Sequence, residues 1–258
     1  MSSSARASTA GVERLAELIA GAHSTVALTG AGISVPSGIP DFRTPQTGLW
    51  AQVDPMEVAH IDAFREDPVR FWRFYGERFA TLGEKQPNGA HRALVAMQSA
   101  GQLDGVITQN IDMLHRRAGS VDPVEVHGSI ATCSCPACGG AVSADRAREL
   151  IAPAADGVPR CERCDGALKP DVVLFGEMLP EAALRRAIEL CERADVLLCI
   201  GSSLEVQPVA GLPLLTRRCG GRVAIVTHGA TPLDDVADVR LDGDVVDVLG
   251  ALAARLGC

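Results

Sequence analysis

Thr25-Val26-Ala27-Leu28-Thr29-Gly30-Ala31-Gly32-Ile33-Ser34 is the stretch that decides the fold class. Its apolar opening, bounded by glycines, reads as a buried strand entering a tight turn. A Gly30-Ala31-Gly32 turn after such a strand lets backbone approach a phosphate closely, with free amides to cradle it; a plain β-turn is the bland alternative. Short apolar runs recur at Val106-Ile107-Thr108, Val172-Val173-Leu174-Phe175, Val196 to Ile200 and Val223 to Val226. Helical patterns fall between several of them, with Val12–Ala22 before the first and Glu181–Arg193 and Val209–Cys219 later. Strand, helix, strand in that rhythm predicts an α/β fold with a parallel sheet covered on both faces. Two stretches break the rhythm. Residues 46–88 are polar and helical and hold most of the aromatics, and residues 131–169 hold five cysteines among Gly, Pro and Ala. Both are expected to be insertions forming a smaller second module.

The chain has 258 residues, 47% hydrophobic and 22% charged, enough for a sizeable core. Its longest apolar run, Val196 to Ile200, falls far short of the roughly 20 residues a membrane helix needs. A formal charge of −8 argues against non-specific binding to nucleic acid or an anionic membrane. Met1-Ser2-Ser3-Ser4 lacks the basic-then-apolar pattern of a secretion signal. Nine cysteines without such a signal point to reduced thiols or a metal, and a cytoplasmic location is expected.

Cys135-Pro136-Ala137-Cys138 and Cys161-Glu162-Arg163-Cys164 form two CxxC pairs separated by 22 residues. Two such turns close a tetrahedral four-thiolate zinc site, and four protein ligands leave no open position, so the zinc is expected to be structural. Cys133 is an alternative to Cys135 as a ligand. A redox dithiol is disfavoured because neither pair opens a helix after a strand. Cys191, Cys199, Cys219 and Cys258 are scattered and read as apolar or incidental thiols.

The glycine turn departs from GxGxxG, since the next glycine is Gly38, and no acidic residue ends a second strand about 20 residues on. That speaks against a hydride-transferring dehydrogenase. The continuation is Ser37-Gly38-Ile39-Pro40-Asp41-Phe42-Arg43, and three further segments carry chemistry: Thr108-Gln109-Asn110-Ile111-Asp112, Val126-His127-Gly128 and Phe175-Gly176-Glu177. Ligands of open parallel sheets bind beyond the carboxyl ends of strands, so the first and third are expected to converge there with the glycine turn.

With Gly201-Ser202-Ser203, these motifs and the four cysteines resemble the sirtuins, NAD-dependent protein deacylases, in order and spacing over nearly the whole chain, 1–258. The resemblance implies a large Rossmann-like domain, a small zinc-bearing module and a cleft between them for NAD and an acyl-lysine peptide. It makes His127 the general base acting on a ribose hydroxyl, a task that suits neutral imidazole. Asn110 would position ribose and water, and Asp112 the nicotinamide carboxamide. Gly30, Ala31, Gly32, Ser34, Asp41, Phe42 and Arg43 would line the nicotinamide and phosphate region, with Gln109 and Ile111 beside them. Gly201, Ser202 and Ser203 would meet ribose and phosphates; Thr227, Gly229 and Val245 would lie toward adenosine. Sirtuins commonly have Asn where Thr227 stands, which weakens that contact. Val172, Val173, Phe175, Gly176 and Glu177 would flank the peptide, added as a strand.

Bland alternatives stand beside these. A histidine before a glycine is more often a structural hydrogen-bonder, but the surrounding motifs put the base reading of His127 ahead of that one; Asp112 has a helix N-cap as its alternative, and His91 and His115 read as structural. Tyr75 and Arg78, three apart on one helix face, resemble the Tyr-x-x-Arg pair of the sirtuin subgroup that removes succinyl and malonyl groups. Guanidinium takes a carboxylate bidentately and the phenol adds a donor; an amphipathic helix with core aromatics is the alternative. A mono-ADP-ribosyltransferase and a zinc-ribbon nucleic-acid module are the competing functions.

Overall fold

A computed structural model describes residues 9–41 and 54–258. Phe42 and Arg43, and the first part of the 46–88 segment, lie outside the described residues. The chain opens with α1 (Thr9–Ala20), whose Val12, Leu15, Ala16 and Ile19 form one buried stripe. It leads into β1 (Thr25–Thr29), buried along its whole length. Helices α2 (Pro55–Val58), α3 (Ile61–Glu66), α4 (Pro68–Glu84) and α5 (Gly89–Ser99) precede β2 (Gly105–Thr108). After α6 (Leu114–Ala118) and β3 (Val124–Glu125) come β4 (Gly128–Ser134), β5 (Ala141–Ser143), α7 (Ala144–Ile151) and β6 (Lys169–Val172). The remainder alternates: α8 (Glu181–Arg193), β7 (Val196–Ile200), α9 (Leu212–Arg218), β8 (Arg222–Val226), β9 (Val239–Leu241) and α10 (Val245–Arg255).

Six strands form one parallel sheet in the order β3-β2-β1-β7-β8-β9. Side chains alternate between its faces, and both faces are apolar, which is why its strands read as unbroken hydrophobic runs. Ala27, Val106, Leu198 and Ala224 pack with α1, α5 and α10 on one side. Val26, Leu28, Ile107, Leu197 and Ile225 pack with α8 and α9 on the other. From β1 the chain moves outward to β2 and β3, then returns to β7 on the opposite flank of β1. The carboxyl ends of β1 and β7 therefore form the switch point where a crevice opens.

The second sheet is antiparallel, in the order β5-β4-β6. Phe64 of α3 and Phe71, Trp72 and Tyr75 of α4 share its core with Ile130, Leu168 and Val172. The Trp72 indole N–H donates to the Leu168 carbonyl at 2.8 Å, so the helical and cysteine-bearing segments are joined by one core.

Two expectations need correction. Val172–Phe175 is not a strand of the parallel sheet: β6 ends at Val172, pairs antiparallel with β4, and Phe175 only bridges His60. An apolar run has the composition either sheet requires, and its partner strand is distant in sequence. Val209–Cys219 is not one helix but a 3₁₀ turn, Val209–Gly211, followed by α9, because Pro213 in the first turn favours a fresh helix start there.

Where α5 meets α6, His91 and His115 are fully buried with ring centroids 4.9 Å apart. His91 Nδ1 accepts the Asn88 amide at 3.4 Å, and His115 Nε2 lies 2.9 Å from Thr29 Oγ1. Burial holds His91 down to about 4 and His115 down to about 3. The unfolded chain takes up these protons near pH 6.5, whereas the folded one resists until much lower pH. Between those values the unfolded state binds more protons, so stability falls as pH drops from about 6.5 toward 4, by at most about 1.4 kcal/mol per pH unit for each histidine. Urea midpoints measured at steps from pH 7.5 to 4.5 should fall accordingly, and His91→Gln should flatten the slope.

Candidate active site

At the crevice the two glycine turns lie back to back. Gly30 N–H donates to the Ile200 carbonyl at 2.9 Å and Gly32 N–H to the Gly201 carbonyl at 2.8 Å. A Cβ at Gly32 would sit 2.7 Å from Gly201 Cα, and one at Gly201, where φ is +59°, would sit 2.3 Å from Ile33 N. These glycines are thus required by each other, whatever the turn also offers a phosphate. Beyond them the chain makes a 3₁₀ turn, Ala31–Ser37, closed by Gly38 at φ +78°. Asp41 follows as the last described residue of this segment.

The end of β2 supplies a connected polar cluster. Asn110 Nδ2 donates to the Gly30 carbonyl at 3.1 Å and to Ser34 Oγ at 3.2 Å, and Ser34 Oγ donates to Asp112 Oδ2 at 2.7 Å. Asp112 Oδ1 accepts the Leu114 amide at 2.9 Å, so this carboxyl supports the start of α6 as well as the crevice. Burial raises its pKa, against the opposing hydrogen bonds from Ser34 and Leu114. Gln109 Nε2 donates to Ser202 Oγ at 3.0 Å, bridging the ends of β2 and β7. Ile111, half-buried beside this cluster, packs against the core of the second module and accepts the Ile130 amide at its carbonyl.

His127 stands between the two sheets. Its Nδ1 lies 3.0 Å from the Gln109 carbonyl, which only accepts, so Nδ1 carries the proton and Nε2 keeps a free lone pair. Burial lowers its pKa and so favours the neutral ring near pH 7, while the Gln109 hydrogen bond acts in the opposite sense. The Val173 amide donates to the His127 carbonyl at 2.8 Å. Phe175-Gly176-Glu177 therefore follows a strand of the small sheet, not the end of a parallel strand as expected. Phe175 is pinned by the Ala59 carbonyl and Ile61 amide, and the residue is 41% exposed. Gly176 has φ +85°, with His60 too close for a Cβ. Glu177 points inward, accepting the Leu174 amide and the Lys169 ammonium, each at 2.9 Å.

Ser203 follows Ser202 on the β7 loop, while Thr227 and Gly229 lie at the end of β8. Val245 is buried in the core beneath α10, so its side chain serves packing. Tyr75 is also buried, stacked on Phe79 with centroids 5.1 Å apart, and burial pushes its phenol up to about 12. Arg78 is exposed and lies 3.8 Å from the Phe74 ring centroid while donating to the Phe74 carbonyl. Asn88 belongs to none of the site motifs, yet its Nδ2 donates to the Ile33 carbonyl at 2.8 Å and to Ser37 Oγ at 2.9 Å. The signal available was its position as N-cap of α5.

The sulfurs of Cys135, Cys138, Cys161 and Cys164 all lie within 4.8 Å of one another, with Cys135–Cys164 and Cys138–Cys161 at 3.5 Å. Sulfurs about 3.8 Å apart are what tetrahedral zinc–thiolate bonds require, so the set fits one zinc ion. The two knuckles repeat each other: Cys135 N–H bonds the Gly140 carbonyl and Cys161 N–H the Gly166 carbonyl, both at 2.8 Å. Cys133 is outside the cluster, buried in the small core, where burial pushes its thiol up to about 12.

A parallel sheet with a glycine-walled crevice at its switch point, faced by a zinc-knuckle module that carries a neutral histidine to its mouth, defines a two-module nucleotide-cleft protein. The Sir2 family profile matches residues 30–208, and the chain belongs to that family. It is 41% identical over 244 residues to NAD-dependent protein deacylase 1 of Archaeoglobus fulgidus, covering 95% of this chain and 97% of that one. NAD-dependent protein deacetylase 1 of Geobacillus kaustophilus is 42% identical over 242 residues, covering 92% and 97%. Among solved structures, a Sir2 complex with p53 peptide and NAD+ superposes with a TM-score of 0.88 at 39% identity over 95% of this chain and 98% of that one. Sir2 bound to an acetylated peptide gives 0.88 at 38% identity, with the same coverage.

Elemental analysis should find one zinc per chain. Cys161→Ser should lose the zinc and lower the melting temperature together, whereas Cys133→Ser should keep it.

Proposed function

We propose that this chain is an NAD-dependent protein-lysine deacylase that releases nicotinamide and O-acyl-ADP-ribose, acting on succinyl- and malonyl-lysine as well as acetyl-lysine. The observation that carries the deacylase reading is His127, fixed by the Gln109 carbonyl as a neutral base whose free Nε2 stands at the crevice. NAD supplies the anomeric carbon at which the acyl amide oxygen displaces nicotinamide. His127 Nε2 takes the proton of a ribose hydroxyl, and its Nδ1–H, held by Gln109, fixes the tautomer and ring orientation. Asn110 and Asp112, tied together through Ser34, hold the ribose and the carboxamide in place. The exposed Phe175 and the loop from Val172 flank the acyl-lysine, and Gly201 to Ser203 receive phosphate on the other side of the glycine turn. The zinc holds the small module together away from the chemistry. The −8 charge opposes a nucleic-acid module, and nothing favours ADP-ribosyl transfer to protein over deacylation.

The acyl preference rests on α4. Arg78 is exposed, packs on the Phe74 ring and pairs with no carboxylate among the described residues. A carboxylate brought to this helix face is a better partner for the guanidinium than a neutral ring. Tyr75, with its phenol near 12, stays protonated and a donor across the working pH range. An acetyl group leaves that cation unpaired and gains nothing from it.

His127→Ala should lower deacylation about 10²-fold to 10⁴-fold while leaving NAD binding within a few-fold, because the base acts after the cosubstrate is seated. Activity close to wild type in that variant removes the base assignment. For the acyl group, kcat/KM should be higher on a succinyl-lysine than on an acetyl-lysine peptide. Arg78→Met should reverse the order, costing succinyl-lysine about tenfold or more, as loss of a charged hydrogen bond does. An acetyl preference in the wild type would remove the acid-pocket idea and leave deacylation standing.

A further inference from the structure

We propose that Arg240 is a positioning residue for the adenosine half of NAD, strapping the loop after β8 into its binding conformation. The inference rests on the NAD reading above and goes beyond it in assigning a residue on the edge strand. His127 lies on the β2–β3 side of the switch point, so the reacting ribose lies there too. A dinucleotide spanning the crevice must then place its other nucleoside over the ends of β7 and β8, beside Ser202 and the Thr227–Gly229 turn.

That turn carries Thr227, with no amide side chain to order it, and Gly229 at φ +76° in open space. Thr227 is buried but Gly229 has no packing neighbour, so beyond Thr227 the turn is held by hydrogen bonds, those of Arg240 and the His228–Asp242 contact. On β9, Val239 and Leu241 point into the core with α1 and α10, so the period of the strand sends Arg240 to the opposite face. Its Nη1 donates to the Thr227 carbonyl at 2.9 Å and the Leu241 carbonyl at 2.6 Å, and its Nη2 donates to the Gly229 carbonyl. Its Nε donates to Asp234 Oδ1 at 2.9 Å. Asp234 in turn accepts the Thr231 hydroxyl at 2.7 Å and the Thr231 amide at 3.1 Å, fixing the far end of the same loop. The Arg240 side chain is 20% exposed and that of its carboxylate partner Asp234 30%, so the pair is partly shielded from screening. One planar fork thus organises both ends of a five-residue turn, a task for which lysine has too few fixed donors. With the strap cut, ordering the turn falls to the incoming nucleotide, which weakens binding.

The test uses the full-length chain and two probes, ADP-ribose for binding by calorimetry and steady-state deacylation for kinetics. Arg240→Met should raise the ADP-ribose Kd and the KM for NAD about tenfold, leaving kcat at saturating NAD and the KM for peptide within twofold. Arg240→Lys should recover part of the loss, and Asp234→Asn should give a smaller change in the same direction. Wild-type binding of ADP-ribose with unchanged Kd in Arg240→Met or Arg240→Lys overturns the proposal and leaves the NAD reading intact. A melting-temperature drop with equal losses for NAD and peptide in both Arg240 variants also overturns it, as a merely structural role. Failure of the wild type itself to bind ADP-ribose overturns both.

Discussion

Backbone contact between two turns sets the geometry of everything above it. Gly30 and Gly32 meet Gly201 at distances no Cβ tolerates, and this brings the ends of β1 and β7 together at the switch point. Because the strands on either side are hydrogen-bonded in register, with Thr29 opposite Thr108 and Ile200, the approach also fixes the loops that leave them. Gln109 reaches Ser202 and Asn110 reaches Gly30 only because those loops are held side by side. A polar cluster buried at the mouth of a sheet is costly unless each member is bonded, and here each one satisfies the next.

His127 owes its position to a change of sheet. The Val126 amide donates to the Thr108 carbonyl, extending the parallel sheet by one bond. Gly128 then takes φ +73° and begins β4, with its Cα so close to the Asp171 carbonyl that a side chain has no room. The histidine is the single residue between these commitments, held through its carbonyl by Val173 and through its ring by Gln109. Ring and backbone of this residue are thus both held by backbone groups of its neighbours.

The small module reaches this arrangement with very little apolar material. Its three strands are short, and the helices α3 and α4 must lend Phe64, Phe71, Trp72 and Tyr75 to complete its core. Two zinc knuckles with the same amide-to-carbonyl bonding supply the order that packing alone does not. The partly buried Lys169–Glu177 pair then ties the last strand to the loop carrying Phe175, so the small core and that loop are mechanically continuous.

Local pattern was enough to establish much of this. Buried strands betray themselves by continuous apolar runs, Glu181–Arg193 forms a helix over the range its periodicity marks, and paired CxxC turns announce a metal because their chemistry lies within four residues. The family followed from motifs whose order survives in one dimension. Non-local contact decided the rest. Whether Val172–Phe175 joins the parallel or the antiparallel sheet depends on which distant strand pairs with it, and composition is silent on that. Cys133 and Cys135 are two residues apart and chemically alike, yet β4 ends between them: Cys133 stays in the strand, while Cys135 opens the knuckle turn and joins the four-cysteine cluster. Tyr75 and Arg78 share a helix face, but aromatic neighbours from the same helix bury the phenol and draw the guanidinium over Phe74. Arg240 carried no signal at all, since three of its four acceptors are backbone carbonyls that any sequence provides, and only the folded chain gathers them with Asp234 around one side chain.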